Sequence, residues 1–261
     1  MKRGNTDPYQ DFSSFYDIYV GDWLADLPLY LEYAKKSPGP VLEVGAGSGR
    51  LTIPLAQEGF SVTAVDISPS MLAILESRLT SQTDDVRRRV QVVLSDAREL
   101  DLSTDYGLII VPFYTFNYLL SPEDQDVALR SMSKHLSNRG RLLIDVFIPL
   151  KRIDLCPREP VLRVDLTDPR TGNRIRGWNI YEMDRQGQVE YRKHVFEVAQ
   201  SDGSIVKKEF ATQRHYSFPE QLEQVFAHAG LHVEDVFSGY GKDRPTPTSE
   251  QLLYVLTKDW S

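Results

Sequence analysis

The ten residues VLEVGAGSGR, numbers 41–50, decide the fold. The first four are three apolar residues and one acidic residue, a pattern that predicts a short buried strand. Gly45, Gly47 and Gly49 follow and predict a turn, and a helix is expected from residue 50 onward. In an open parallel sheet, a glycine-rich turn between a strand and a helix is where a ligand lies against backbone N–H groups. The motif therefore predicts a nucleotide-like cofactor at one edge of a parallel sheet.

Short apolar runs alternate with helical patterns from this motif onward. The predicted strands are 41–44, 61–65, 90–94, 108–111 and 141–147, and the predicted helices are 50–58, 69–79 and 122–137. Strands that alternate with helices form a parallel, doubly wound sheet. A helix over 219–228 and two strands over 231–237 and 251–257 are expected to complete this sheet.

The stretch between these two parts has a different pattern. Residues 161–216 are rich in Val, Ile, Tyr and Phe without a helical period, and turn-forming residues interrupt them at 168–172, 185–187 and 202–203. This predicts an antiparallel sheet of about four strands. The chain then divides into an N-terminal pair of helices broken near Gly21 (1–38), a cofactor-binding core (39–150), the antiparallel insertion (151–216) and the C-terminal part of the core (217–261).

Composition and charge narrow the functional classes. The 261 residues carry 37 acidic and 30 basic side chains, a formal net charge of −7. Because nucleic-acid-binding proteins normally present a basic face, DNA and RNA are poor candidates for partners. The single cysteine, Cys156, excludes an internal disulfide and fits a reducing compartment. No apolar run approaches the roughly twenty residues that span a bilayer, so we expect a soluble, cytoplasmic protein without membrane contacts.

Two details of the glycine turn bear on the choice of cofactor. A dinucleotide-binding turn has the pattern G-x-G-x-x-G, whereas Arg50 stands here in place of the last glycine. The carboxylate of Glu43 would repel a pyrophosphate and favour the ammonium and sulfonium groups of S-adenosylmethionine.

Asp66 follows the turn at the distance of an acidic residue that binds ribose hydroxyls, a feature that NAD and S-adenosylmethionine share. After the third strand, Asp96 either accepts a hydrogen bond from an adenine amino group or caps the next helical turn.

These motifs resemble, in order and spacing, the cofactor-binding motifs of class I S-adenosylmethionine-dependent methyltransferases. The matching residues are the glycine turn, Asp66, Asp96 and Ile110-Val111-Pro112-Phe113 after the fourth strand. The resemblance implies a Rossmann-like, doubly wound α/β fold whose seven-stranded sheet has an antiparallel last strand.

Two further segments, Gln213-Arg214-His215-Tyr216 and Gly239-Tyr240, are similar to a small-molecule branch of that family. The branch includes N-methyltransferases of aminosugar and natural-product pathways. Its members carry a β insertion after the fifth strand and N-terminal helices that close over the cofactor. The resemblance thus implies that residues 1–38 form a lid. The insertion either roofs the acceptor pocket or forms the surface of a homodimer, since long strand edges favour pairing.

The motifs and the resemblance together give the expected site. The expected cofactor contacts are Tyr16, Glu43, Gly45, Ala46, Gly47, Arg50, Asp66, Ile67, Met71, Asp96, Ala97 and Val111. The expected acceptor contacts are Tyr114, Asn117 and Tyr240, and the catalytic candidates are Tyr216 and, as a base, His215.

Several of these residues have an alternative role that the sequence leaves open. Ile67 and Met71 either enclose the adenine or belong to the core. Tyr16 either covers the methionine end of the cofactor or packs inward. Arg50 either orders the glycine loop or pairs with a neighbouring helix.

The expected reaction is methyl transfer from S-adenosylmethionine to a nitrogen or oxygen of a small-molecule acceptor, with an amine preferred. A nucleic-acid methyltransferase is an alternative, opposed by the acidic charge and by Val111-Pro112-Phe113-Tyr114, which lacks the Pro-Pro pair of DNA amino-methyltransferases. An NAD-dependent oxidoreductase and a non-catalytic binding protein are further alternatives. No metal is expected, because the pair His228 and His232 is interrupted by Gly230, where the helix should end.

Overall fold

The computed structural model describes residues 7, 9–10, 12–21, 23–169 and 171–258. Contacts divide the chain into two compact units. The first comprises Met1–Gln10, Leu24–Ile148 and Ser217–Ser261, and the second comprises Asp11–Trp23 and Pro149–Tyr216.

The strands and helices of the described residues follow in chain order. The strands are β1 Val41–Val44, β2 Val62–Asp66, β3 Val90–Leu94, β4 Tyr106–Val111, β5 Leu136–Phe147, β6 Val161–Thr167, β7 Arg174–Asp184, β8 Val189–Ala199, β9 Ile205–His215, β10 Leu231–Phe237 and β11 Gln251–Lys258. The helices are α1 Ser13–Val20, α2 Leu27–Lys36, α3 Thr52–Gln57, α4 Pro69–Thr80, α5 Asp84–Arg89, α6 Pro122–Lys134, α7 Leu150–Asp154 and α8 Pro219–His228. Short 3₁₀ turns lie at Ala97–Glu99 and Thr115–Tyr118.

The first unit is built on a seven-stranded sheet in the order β10-β11-β5-β4-β1-β2-β3. Strands β1 to β5 pair in parallel, and β11 runs antiparallel to both β5 and β10. Every residue of β1, β2 and β4 is buried, as expected for parallel strands covered on both faces. The predicted Rossmann-like sheet with an antiparallel last strand is confirmed.

The boundary between α6 and β5 differs from the prediction. The helix ends at Lys134 instead of residue 137, and the strand begins at Leu136 instead of residue 141. Leu136 pairs with Tyr106 and Arg141 with Leu108, so the polar residues between them form an irregularity in the pairing. The sequence pattern that predicts strands is an alternation of apolar and polar residues. The residues between Leu136 and Arg141 lack this alternation, so the pattern does not reveal that they belong to the strand.

The second unit contains a four-stranded antiparallel sheet in the order β6-β7-β8-β9, which confirms the predicted insertion. Helix α1 belongs to this unit, and α2 belongs to the first. Side chains preceding and within α1 explain this division, since the ring centroids of Phe12 and Phe210 are 5.6 Å apart and those of Phe15 and Phe196 are 4.8 Å apart. Helix α2 instead contributes Tyr30 to the core of the first unit.

A buried histidine lies at the edge of this aromatic cluster. His194 on β8 stacks on Phe12 at a centroid distance of 4.9 Å, and its Nε2 lies 3.1 Å from Thr212 Oγ1. Burial lowers the pKa of His194 to about 3, and the charges of Arg192 and Arg214 act in the same direction. The imidazole is therefore neutral in the folded protein at neutral pH.

We predict that His194 makes the fold sensitive to acid. Between pH 6.5 and about 3 the unfolded chain protonates this side chain but the folded chain does not, so stability falls as the pH is lowered through this window. The contribution is up to about 1.4 kcal/mol per pH unit. Urea unfolding of His194→Gln at pH 5.0 and 7.5 should show a smaller pH dependence than the wild type. The exposed His228→Gln serves as the control, and an unchanged slope in His194→Gln would contradict the prediction.

Candidate functional site

The glycine turn lies where the carboxyl ends of β1, β2 and β4 meet. The N–H groups of Gly45 and Ala46 both donate to the carbonyl of Val65, at 2.8 and 3.0 Å. The φ angles of Gly45, Gly47 and Gly49 are 79°, 57° and 85°, in the region that disfavours other residues. The turn is thus fixed to β2, and its conformation requires glycine.

Gly45 also permits a close approach of another segment. A Cβ atom on Gly45 would lie 2.4 Å from Cγ2 and 2.5 Å from Oγ1 of Thr115, at the start of the 3₁₀ turn after β4. Two adjacent aromatic residues, Phe113 and Tyr114, have φ angles of 52° and 65° just before it. The strained turn after β4 therefore lies directly against the glycine loop.

Asp66 at the end of β2 organises the other side of the loop. Its carboxylate accepts hydrogen bonds from the N–H of Gly47 at 2.8 Å and of Ser68 at 2.9 Å. Burial raises the pKa of Asp66, and these bonds oppose the increase. Ile67 next to it is 47% exposed, whereas Met71 is buried with Cε 3.2 Å from where a Cβ of Gly47 would lie. Ile67 thus presents an apolar side chain at this edge, and Met71 packs beneath the loop.

Glu43 is the acidic residue at the end of β1. It is 2% exposed, and its Oε2 accepts a 2.5 Å hydrogen bond from the Thr52 hydroxyl. Burial raises the pKa of Glu43 to about 8, although Thr52 and Arg50 favour the ionised form. A cation bound beside this carboxylate would stabilise its charge.

Arg50 forms an ion pair with Asp26, the residue before α2. Two 2.7 Å bonds join its guanidinium to both carboxylate oxygens of Asp26, which is fully buried. The guanidinium also lies 4.9 Å from the ring centroid of Phe113. Arg50 therefore links α2, the helix after the glycine loop and the turn after β4, and its contact with a cofactor stays a prediction.

Asp96 caps the 3₁₀ turn that begins at Ala97. It accepts from the backbone N–H of Arg98 at 2.9 Å and forms an ion pair with the Arg98 guanidinium. Arg98 in turn reaches Asp124 at 2.9 Å. The capping alternative is therefore realised, and adenine recognition by Asp96 and Ala97 stays a prediction.

The expected acceptor residues of the first unit gather at the ends of β4 and β5. The side-chain amide of Asn117 donates to the carbonyl of Phe147 at 3.0 Å and accepts from the N–H of Phe147 at 2.9 Å. The ring of Tyr114 lies 5.3 Å from that of Phe147, and the Tyr240 hydroxyl donates to Asp145 on β5. Val111, the last residue of β4, is buried. Asn117 thus fixes the end of β5, and direct contact of these side chains with an acceptor stays a prediction.

The remaining candidates, Tyr16, His215 and Tyr216, belong to the second unit. Tyr16 lies on α1, with its ring centroid 6.1 Å from that of Phe12. His215 and Tyr216 are 5% and 2% exposed at the end of β9, where the backbone N–H of Tyr216 donates to the carbonyl of Gln188 at 2.9 Å. Their catalytic roles stay predictions.

Sequence reasoning missed three acidic residues of the first unit. Asp26 and Asp145 are fully buried, and Asp7 accepts bonds from the Ser68 hydroxyl at 2.7 Å and the Ser70 N–H at 2.9 Å. One signal was available, because Asp145 interrupts the apolar run of a predicted buried strand. No local pattern marks Asp7 or Asp26, whose partners are distant in sequence.

Two further findings concern only the residues that the structure describes. No three His, Cys, Asp or Glu side chains among them are arranged to hold a metal ion. Of the helices formed by these residues, none has the length and apolar character needed to cross a bilayer.

Comparison with known proteins agrees with this architecture. Residues 41–140 match the family model described as a methyltransferase domain. A putative methyltransferase from Geobacillus sp. strain WCH70 is 24% identical over 257 residues, which cover 96% of this chain and 99% of that protein.

Two solved structures are similar over nearly the whole chain. The CcbJ methyltransferase from Streptomyces caelestis has a TM-score of 0.83 at 23% identity, over 99% of this chain and 100% of that one. The sugar N-methyltransferase KedS8 from Streptoalloteichus sp. ATCC 53650 has a TM-score of 0.74 at 20% identity, over 99% of both chains. These likenesses show the fold.

We predict that Gly45→Ala destabilises the first unit more than Gly59→Ala does. Both glycines have positive φ, but a Cβ on Gly59 has nothing within 4 Å, whereas one on Gly45 meets Thr115. Each change should cost about 1 kcal/mol in backbone strain, and Gly45→Ala should cost at least about another 1 kcal/mol from the steric clash. Urea unfolding measures both, and Thr115→Ala added to Gly45→Ala should recover part of the loss. Equal costs for the two glycines would refute the prediction.

Proposed function

We propose that this chain, a class I S-adenosylmethionine-dependent methyltransferase, transfers the methyl group of its cofactor to the nitrogen of a small amine. The observation that carries the proposal is the buried side chain of Glu43 near the end of β1, beside a glycine loop whose Gly47 N–H donates to Asp66. A buried acidic group at this place favours a positively charged ligand over a pyrophosphate. This supports a sulfonium cofactor over NAD.

The cofactor would lie along the carboxyl edge of the sheet. We infer that Glu43 and the glycine loop hold its methionine end and that Asp66 receives the ribose hydroxyls. A carboxylate accepts about four hydrogen bonds, so Asp66 has capacity beyond its bonds to the N–H groups of Gly47, Ile67 and Ser68. The exposed side chain of Ile67 suits an adenine face, and Asp96 suits its amino group.

The N-terminal segment supports a role as a cover for this site. Asp7 binds Ser68 and Ser70 just after β2, and the ring of Tyr9 lies 6.0 Å from that of Tyr118 just after β4. Asp7 and Tyr9 thus contact the two loops between which the cofactor would lie. We infer that this segment retains the bound cofactor.

The preference for an amine rests on the groups at the expected acceptor position. The bound cofactor supplies a methyl group that is already activated for in-line displacement, so this chain has to position the acceptor and exclude water. A neutral amine needs no base, whereas a hydroxyl usually does. Burial and the charge of Asp145 raise the pKa of Tyr240 well above its usual value, which makes its hydroxyl a poor base, and Asn117 does not titrate. The similarity to a sugar N-methyltransferase also supports nitrogen.

His215 supports a hydroxyl acceptor as the second candidate, since it could serve as the base. An acceptor screen with matched amines and alcohols separates the two, and loss of transfer to alcohols alone in His215→Gln would favour oxygen.

Calorimetry tests the cofactor assignment. We expect wild-type protein to bind S-adenosylmethionine and its demethylated product with micromolar affinity and NAD at least a hundredfold more weakly. Asp66→Asn should weaken both favoured ligands at least tenfold, because it loses a charged acceptor for the loop and the ribose. Asp85→Asn, on the exposed face of α5, is the matched control. Tight NAD binding without a response to S-adenosylmethionine would reject the proposed function.

The pKa of Glu43 yields a second test. Raising the pH from 6.5 to 9 ionises Glu43, which attracts the sulfonium of S-adenosylmethionine but not the neutral thioether of the product. The ratio of the two affinities should therefore shift toward S-adenosylmethionine by about fivefold or more. The sulfonium charge makes the α-amino group of S-adenosylmethionine more acidic than that of the product, so Glu43→Gln serves as the reference that carries this titration alone. The wild-type ratio should rise above that of Glu43→Gln as the pH increases, and Thr52→Val should move this difference to higher pH. The same pH dependence in wild type and Glu43→Gln would contradict this prediction.

A further inference from the structure

Asp145 is a fully buried acidic residue within an apolar strand. Its neighbours on β5, Ile144 and Val146, are also buried, and Leu253 faces it on β11. A carboxylate in these surroundings is tolerated only when hydrogen bonds satisfy it. The groups that supply those bonds are therefore tied to this position.

Three separate segments donate to this carboxylate. The Tyr240 hydroxyl comes from the loop between β10 and β11, and the side chain of Gln251, at the start of β11, donates at 3.1 Å. The backbone N–H of Phe113 comes from the turn after β4. Asp145 thus joins the two loops that carry Tyr114 and Tyr240, both expected acceptor contacts.

The turn after β4 needs such support. Phe113 and Tyr114 both have left-handed backbone conformations, which are unfavourable for aromatic residues and persist only where the surroundings hold them. On one side the turn meets the glycine loop, through Thr115 against Gly45. On the other side, the bond from Phe113 to Asp145 holds it, and the turn is thereby fixed between the cofactor loop and β5.

We propose that Asp145 is a positioning residue for methyl transfer, whose ionised carboxylate holds the Phe113–Tyr114 turn and Tyr240 as the wall against which the acceptor lies. This inference rests on the proposed function. Asp145 acts through these residues and does not itself touch the reacting atoms. Its hydrogen bond also directs the Tyr240 hydroxyl into the protein, so Tyr240 contacts the acceptor with its ring.

The ionisation of Asp145 gives the proposal a pH signature. Burial raises its pKa to about 7, against the bonds from Tyr240 and Gln251, while the negative charge of Asp26 raises it further. Asp26 is itself paired with Arg50, and the Tyr30 hydroxyl lies in the field of both acids. Below pH 7 a protonated Asp145 accepts fewer bonds, so the turn loosens and the rate of transfer falls.

The test compares wild type with Asp145→Asn, which keeps the shape but turns an N–H group toward the donors. We expect kcat, measured with an amine that the wild type methylates, to fall at least tenfold. The Kd of the demethylated cofactor should change less than threefold. Hydrogen–deuterium exchange of a peptide covering 112–119 should accelerate at least tenfold. The rise of kcat through pH 7 should disappear in the variant.

Tyr240→Phe provides a second, milder variant that keeps the ring and removes the hydroxyl. It should lower kcat about threefold to tenfold, and the double variant should lose less than the product of the two single effects, since both act through one bond. Asp85→Asn is the matched control on α5. Unchanged kcat and exchange in Asp145→Asn would overturn the proposal, as would a change confined to KM. If the proposed function is wrong, the wild type itself transfers a methyl group to no amine. The hydrogen–deuterium exchange of 112–119 still tests the role of Asp145 in that case, because the measurement needs no acceptor.

Discussion

Burial of carboxylates at one edge of a sheet is the constraint on which the first unit depends. Glu43, Asp66 and Asp145 each end or nearly end a strand, and each is satisfied by groups from another segment. Because an unsatisfied buried charge is costly, these acids determine where the loops around them lie. The glycine loop, the turn after β4 and the loop before β11 are held by hydrogen bonds to side chains as well as by packing. The acidic character of this edge of the sheet and the fixed positions of the loops around it thus have the same origin.

The second unit also contains a buried acidic residue that is satisfied by other segments, but here the basic side chains outnumber the acidic one. Glu190 on β8 is 1% exposed and contacts the guanidiniums of Arg152, Arg192 and Arg214 at 2.6 to 2.7 Å. Burial alone would raise the pKa of Glu190, but the three arginines outweigh it and hold the pKa at about 2. The ion pairs join α7 to strands β8 and β9. Aromatic packing of α1 on the sheet supplies the rest of this unit's core.

The order of the strands, the glycine loop and Asp66 could be predicted because each is encoded in a short stretch. Periodicity and turn residues fix β1 to β4 to within one or two residues, and the VLEVGAGSGR motif fixes the edge of the sheet at which the glycine loop lies. Two interactions could not be predicted, because they join positions 24 and 30 residues apart. They are the ion pair of Arg50 with Asp26 and the hydrogen bonds of the Asn117 amide to the Phe147 backbone. For Asp96, sequence left capping and ligand binding open, since one carboxylate can serve both.

The division of the second unit has a consequence for synthesis of the protein. Helix α1 leaves the ribosome before the sheet of its unit, yet the rings on which Phe12 and Phe15 pack lie on β8 and β9. At about 5 to 20 residues per second, those strands are translated roughly ten seconds or more after the helix. Throughout that interval an amphipathic aromatic segment is exposed without its sheet, and such segments aggregate or recruit chaperones. Yield of the folded protein therefore depends on how the nascent chain is protected until β8 and β9 have been made.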